Sequence, residues 1–184
     1  FQLLKSMKAI DVDVAKLLFC GIVTDSGCFS YSNTTKRTHE IACELLEYNF
    51  DASEAIYQVY SSVTSNKFDL KRRALAKAKF FESRQIALIC FTKDDFVATN
   101  TTCDDTEGIV SELINVDCVK VAYALSQVGD KNFKLSIRTK DNVDASDIAM
   151  AFGGGGHKFA SGCRVNGYLE DIEENLVKLA KDRI

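Results

Sequence analysis

Four consecutive glycines, Gly153, Gly154, Gly155 and Gly156, stand between the apolar run Ile148-Ala149-Met150-Ala151-Phe152 and the sequence His157-Lys158-Phe159-Ala160-Ser161-Gly162. Such a run opposes regular packing, because each glycine costs a helix or strand about 0.5–1 kcal/mol relative to alanine. What it offers in return is access. A backbone without Cβ atoms lets a ligand come close, reaches positive φ, and can aim successive N–H groups at an anion. His157 adds a titratable donor beside it and Lys158 a fixed cation. A flexible linker is the competing reading, but Gly-rich linkers are polar and repetitive, whereas Phe152 and Phe159 hem this one in. The stretch reads as a ligand loop.

The rest of the chain sets limits on that ligand. With 184 residues there is room for one domain or two small ones. A formal net charge of −3 gives no global basic footprint, so a contact with phosphate or nucleic acid has to be local. No run of 18 apolar residues predicts a membrane helix, and the first residues lack the zones of a signal peptide. No membrane partner is therefore expected, and a cytoplasmic location is. The seven cysteines are odd in number and include no C-x-x-C pair, so they read as reduced, structural thiols.

The first half is helical by pattern. Asp11 starts a helix that runs into Gly21-Ile22-Val23-Thr24-Asp25-Ser26-Gly27-Cys28-Phe29. There Asp25, at the end of an apolar segment and before a glycine turn, is either a cleft carboxylate or a turn aspartate. Further helices are expected at 34–48, at 51–60 behind an Asp51 cap, and at 70–81 behind an Asp69 cap. His39 reads as a solvated helix residue. From 86 the pattern changes. The continuous apolar run 86–91 predicts a buried strand, and 96–99 is expected to pair with it through a turn at 93–95. A short helix is expected at 106–114, a strand at 119–123, a helix from Asp144 to 151, and a last helix at 168–184. In the strand 133–140, period 2 puts Phe133, Leu135 and Ile137 on one face and Lys134, Ser136, Arg138 and Lys140 on the other. A face whose only charges are basic suggests an anion site, with a basic edge that deters sheet aggregation as the alternative. Two domains result, 1–84 helical and 85–184 α/β.

Common motifs are excluded. The loop lacks the Gly-Lys-Ser/Thr of a Walker A and the third glycine of G-x-G-x-x-G, and no G-x-S-x-G occurs. What remains is anion binding by Gly153–Gly156, His157, Lys158 and Arg138, together with the carboxylate Asp25. A phosphate-containing ligand follows.

Three segments resemble a known family. Gly21 through Phe29 is similar to the last metal-binding motif of the DHH phosphoesterases, usually G-I-x-T-D-T-G-x-F. Ser136-Ile137-Arg138-Thr139-Lys140 and Phe152 through Gly162 resemble the two signature segments of the DHH-associated C-terminal domain, the second usually F-G-G-G-G-H-x-x-A-x-G. The similarity runs over nearly the whole chain. It implies an α/β fold, with a helical C-terminal remnant of a DHH catalytic domain ahead of an associated domain with a mixed sheet. It also implies a manganese-dependent phosphodiesterase or phosphatase of the RecJ-like, exonuclease kind. The expected substrates are short single-stranded oligonucleotides or 3′-phosphoadenosine 5′-phosphate. A phosphodiesterase of linear or cyclic dinucleotides and a non-catalytic nucleotide-binding module are the alternatives, and a homodimer is an open expectation.

By this resemblance Asp25 ligates a metal pair, Gly154, Gly155, Gly156 and His157 hold the substrate phosphate, and Arg138 contacts a terminal phosphate. Ser136 lies in the same segment, and His157 donates to the scissile group. The family's H-x-D-x-D, its next aspartate and its D-H-H triplet are absent. The resemblance therefore implies the C-terminal part of a longer enzyme, with most metal ligands supplied upstream and little activity of its own.

Overall fold

Helix caps and apolar spacing build the first half of this computed structural model, which describes residues 1–31 and 33–184. The chain divides into two compact units, Phe1–Val63 and Thr64–Ile184. In the first, α1 (Gln2–Ser6) precedes α2 (Val12–Asp25), whose N-terminus is capped by the Asp11 carboxylate accepting from the Val14 N–H at 2.9 Å. Next come α3 (Lys36–Leu46), α4 (Ala52–Ile56) and a π-helical turn, Tyr57–Ser61. Ala15, Phe19 and Val23 of α2 meet Ala42 and Leu45 of α3 and Ala55 of α4 in a small core.

The second unit starts earlier than the expected boundary at 84/85. Helix α5 (Ser65–Ala76) is capped by Thr64, not Asp69, and buries Leu70 and Ala74 against the sheet that follows, so it packs with the α/β half. The helix expected to reach 81 gives way to a short strand, β1 (Lys79–Phe81), which pairs antiparallel with β2 (Ile86–Phe91). The expected strand at 96–99 is instead helix α6 (Lys93–Thr99). Thr92 and Asp95 form a reciprocal capping box there, which starts a helix where a hairpin turn was expected. The helix expected at 106–114 is split into a 3₁₀ turn (Cys103–Thr106) and α7 (Val110–Ile114).

The remaining elements are β3 (Val121–Gly129), β4 (Asn132–Thr139), α8 (Ala145–Met150), β5 (Gly155–His157), β6 (Ala160–Asn166) and α9 (Leu169–Lys181). Together the strands form one mixed sheet in the order β1-β2-β3-β4-β6-β5, with only β2 and β3 parallel. This is the mixed α/β architecture that the sequence implies.

The two faces of the sheet are covered unequally. On one, Leu88, Tyr123, Leu125, Leu135 and Ile137 pack under Ile148 of α8 and Ile172 and Leu176 of α9. On the other, Ala87, Ile89, Phe91, Ala122 and Ala124 of β2 and β3 pack under Leu70, Ala74, Val110 and Leu113. That second cover thins past β3, with α7 still reaching β4. Beyond it the same face of β4, β6 and β5 carries exposed or half-exposed residues. Among the described residues no helix is long and apolar enough to cross a membrane.

Candidate functional site

The uncovered half-face is assembled by strand register. Arg138 of β4 pairs with Ala160 of β6, which pairs with His157 of β5. Directly paired residues share a face, so the guanidinium and the imidazole rise from the same side of the sheet, on strands two spacings (roughly 10 Å) apart. One pleat along, Ser136, Gly162 and Gly155 form the next row. Two of its three members have no side chain, so it is a low floor. A further pleat along, Lys134 pairs with Arg164. Among the described residues, none of Lys134, Arg138 and Arg164 is in an ion pair. Arg138 donates one N–H to the Ile137 carbonyl at 3.0 Å, which leaves most of its five donors for a ligand.

The four glycines do different jobs. Gly153 (φ +72°) and Gly154 close α8 in a Schellman motif: the Gly153 N–H donates to the Met150 carbonyl at 3.0 Å, and that of Gly154 to the Ala149 carbonyl at 2.9 Å. Their amides are thereby spent. A Cβ on Gly154 would lie 2.3 Å from Cys163 Cβ, and one on Gly156 (φ +151°) would lie 2.6 Å from the Ala160 carbonyl oxygen. Gly155 differs. It has no atom within 4 Å of its Cβ position and no positive φ. Neither space nor backbone conformation requires a glycine there.

The β5–β6 hairpin is pinned where it turns. Thr139 Oγ1 lies 2.9 Å from the Val143 carbonyl and 3.1 Å from that of Lys158, and the Ala145 N–H donates to the Lys158 carbonyl at 2.6 Å. Lys158 thus sits in the turn, outside the rows, with its ammonium 5.2 Å from the Phe159 ring centre. Lys140 is not on the basic face as expected. The chain leaves the sheet at Thr139, and the Lys140 ammonium donates to the carbonyls of Ile114, Val116 and Asp117 at 2.7–3.2 Å, closing the end of α7. Arg164 escaped the sequence reading, because Gly162 and Cys163 blur the alternation of β6. The buried residues Ser161 and Val165 were the available signal.

In the first unit, Asp25 is exposed at the last position of α2. An acid at the negative end of a helix dipole is unfavourable, typically by about 0.3–1 kcal/mol. Asn33 Nδ2 lies 3.1 Å from its carboxylate, and the two help line a pocket of about 210 Å³ with Ser26, Thr35, Arg37 and Thr38. Three successive residues after it, Gly27, Cys28 and Phe29, have φ of +55°, +54° and +65°. Strain of this kind clusters at functional sites. His39 is exposed on α3 and stacks on Phe29. Among the described residues no three His, Cys, Asp or Glu side chains gather as a metal group, so Asp25 by itself does not fit a two-metal centre.

The α/β domain thus presents an open half-face, with glycines in its middle row and Lys134, Arg138 and Arg164 around it. The chain belongs to the DHHA1 domain family, which it matches over residues 88–184. It is 34% identical to the probable bifunctional oligoribonuclease and PAP phosphatase NrnA of Streptococcus mutans, covering 98% of this chain and 58% of that protein. It is 28% identical to the bifunctional oligoribonuclease and PAP phosphatase NrnA of Bacillus subtilis, covering 88% and 50%. A crystal structure of an exopolyphosphatase-related protein from Bacteroides fragilis superposes with a TM-score of 0.87 at 26% identity, covering 97% of this chain and 54% of that one. The chain spans about half the length of the curated relatives it matches.

Proposed function

We propose that this chain is the substrate-holding part of a phosphoesterase that hydrolyses short oligonucleotides and 3′-phosphoadenosine 5′-phosphate. The observation that carries the reading is the register that sets Arg138 and His157 on either side of Ala160, next to the bare row of Ser136, Gly162 and Gly155. A phosphate on that floor meets the guanidinium fork, which suits its planar, bidentate geometry. It also meets the Ser136 hydroxyl, the backbone of Gly155 and Gly156, and the imidazole. In the reaction, His157 donates to the phosphoryl oxygen as charge builds there, and Arg138 orients the terminal phosphate. The names of the relatives support the substrate class, and the family match supports the domain.

The manganese expected of such an enzyme would supply a metal-activated water. This chain offers it one carboxylate, Asp25, and does not complete its site. The reading is tested by equilibrium dialysis of 3′-phosphoadenosine 5′-phosphate against the chain. Arg138→Ala and His157→Ala should each weaken binding tenfold or more, with thermal unfolding unchanged. Affinity indifferent to both substitutions overturns the proposal.

A further inference from the structure

Beside the phosphate floor the sheet carries a second cationic row that the proposed chemistry leaves unused. Lys134 and Arg164 stand directly opposite each other on β4 and β6, both exposed. Like charges in that position destabilise a sheet. Among the described residues no carboxylate pairs with either. The fold therefore gains nothing from the juxtaposition, and a dianionic ligand would relieve it.

The row also borders a pocket of about 480 Å³, lined by Lys134, Ser136, Gly162 and Arg164 from the sheet, by Asp104 from the 3₁₀ turn, and by Val128. Ligand pockets have this size and this mixture of apolar wall and few polar groups. Val128 sits where the β3–β4 register shifts, between Gln127 and Gly129, and is 41% exposed. It gives a base or sugar an apolar surface. Two cations outnumber the one acid, Asp104, whose carboxylate can accept from a sugar hydroxyl. The floor row and the Lys134–Arg164 row are two residues apart along the strands, about 6.6 Å of rise, of the order of one nucleotide step.

We propose that Lys134 and Arg164 form a second phosphate subsite, so that the domain recognises two phosphates separated by one nucleotide. This rests on the reading that Arg138 and His157 hold the first phosphate. It also explains how one surface serves both an oligonucleotide and a nucleoside bisphosphate, since both present phosphates at that separation. A nucleoside monophosphate fills only the first subsite.

The test is equilibrium dialysis of three probes against the chain and its Lys134→Ala/Arg164→Ala variant: adenosine 5′-monophosphate, 3′-phosphoadenosine 5′-phosphate and a 5′-phosphorylated diadenylate. The variant should bind the monophosphate as the parent chain does, and both two-phosphate probes about tenfold more weakly. The salt dependence of diadenylate binding should also flatten by close to one phosphate contact. Relief of like-charge repulsion should hold or raise thermal stability, which separates a binding defect from misfolding. Equal loss for all three probes, or no loss for any, overturns the proposal. Failure of the first subsite shows separately, as monophosphate affinity indifferent to Arg138→Ala.

Discussion

Gly155→Ala separates what the glycine run does for the fold from what it does for a ligand. A methyl at this position meets no atom within 4 Å, and φ is not in the left-handed region. Alanine restricts the unfolded chain more than glycine, so the substitution should leave stability unchanged or raise it by about 0.4–1 kcal/mol. The same methyl rises from the floor between Gly162 and the free edge of the sheet, where the phosphate is proposed to rest. Losing one charge-assisted hydrogen bond there costs about 1.5–3 kcal/mol, or roughly 10–150-fold in affinity. The neighbouring substitutions are the contrast. In Gly154→Ala the methyl would lie 2.3 Å from Cys163 Cβ and 2.5 Å from the Gly162 carbonyl oxygen, overpacking that costs about 1–3 kcal/mol. Urea unfolding and dialysis of 3′-phosphoadenosine 5′-phosphate on both variants give the two numbers. Gly155→Ala should fold as well as the parent and bind poorly, and Gly154→Ala should lose stability. A Gly155→Ala chain that binds like the parent would refute the argument that the floor is a phosphate seat.

Stability should fall in acid through Asp95. Burial raises its pKa, but hydrogen bonds from Lys77 (2.6 Å) and Thr92 outweigh burial and hold it at about 2. Because the folded pKa lies below the ordinary carboxylate value, the contribution is complete above about pH 4 and lost as pH drops towards 2, amounting to about 2–3 kcal/mol. Urea midpoints across that window should show a drop that Asp95→Asn lacks. Thr139→Val removes the hydroxyl that holds the hairpin turn at the Val143 and Lys158 carbonyls. It should cost about 1 kcal/mol in urea unfolding and weaken nucleotide binding several-fold by loosening His157, whereas unchanged stability would mean that the Ala145 contact suffices.

How much of this was legible in the sequence depends on how far each signal extends along the chain. The run 86–91 is buried over nearly its whole length, and its continuous apolar pattern gave β2 to the residue. Helix α6 was misread because Lys93-Asp94-Asp95 has the composition of a turn. What decides its structure is the reciprocal hydrogen bonding of Thr92 and Asp95, together with the ion pairs that Asp95 makes with Lys77 and Arg73 of α5. Lys140 was misplaced by extending period 2 one residue past the end of β4. The residues of the site were mostly visible singly, but their grouping was not. Arg138 and His157 are neighbours only because β6 lies between β4 and β5 and pairs with both. Strand β6 was missed, and β5 read as a loop. The bareness of that half-face was also hidden, since it follows from where α5 and α7 stop covering the sheet, a property of packing that no local pattern encodes. A glycine run therefore pointed to the candidate site. Only the folded chain shows that Gly153, Gly154 and Gly156 answer to backbone geometry and close packing, and that Gly155 does not.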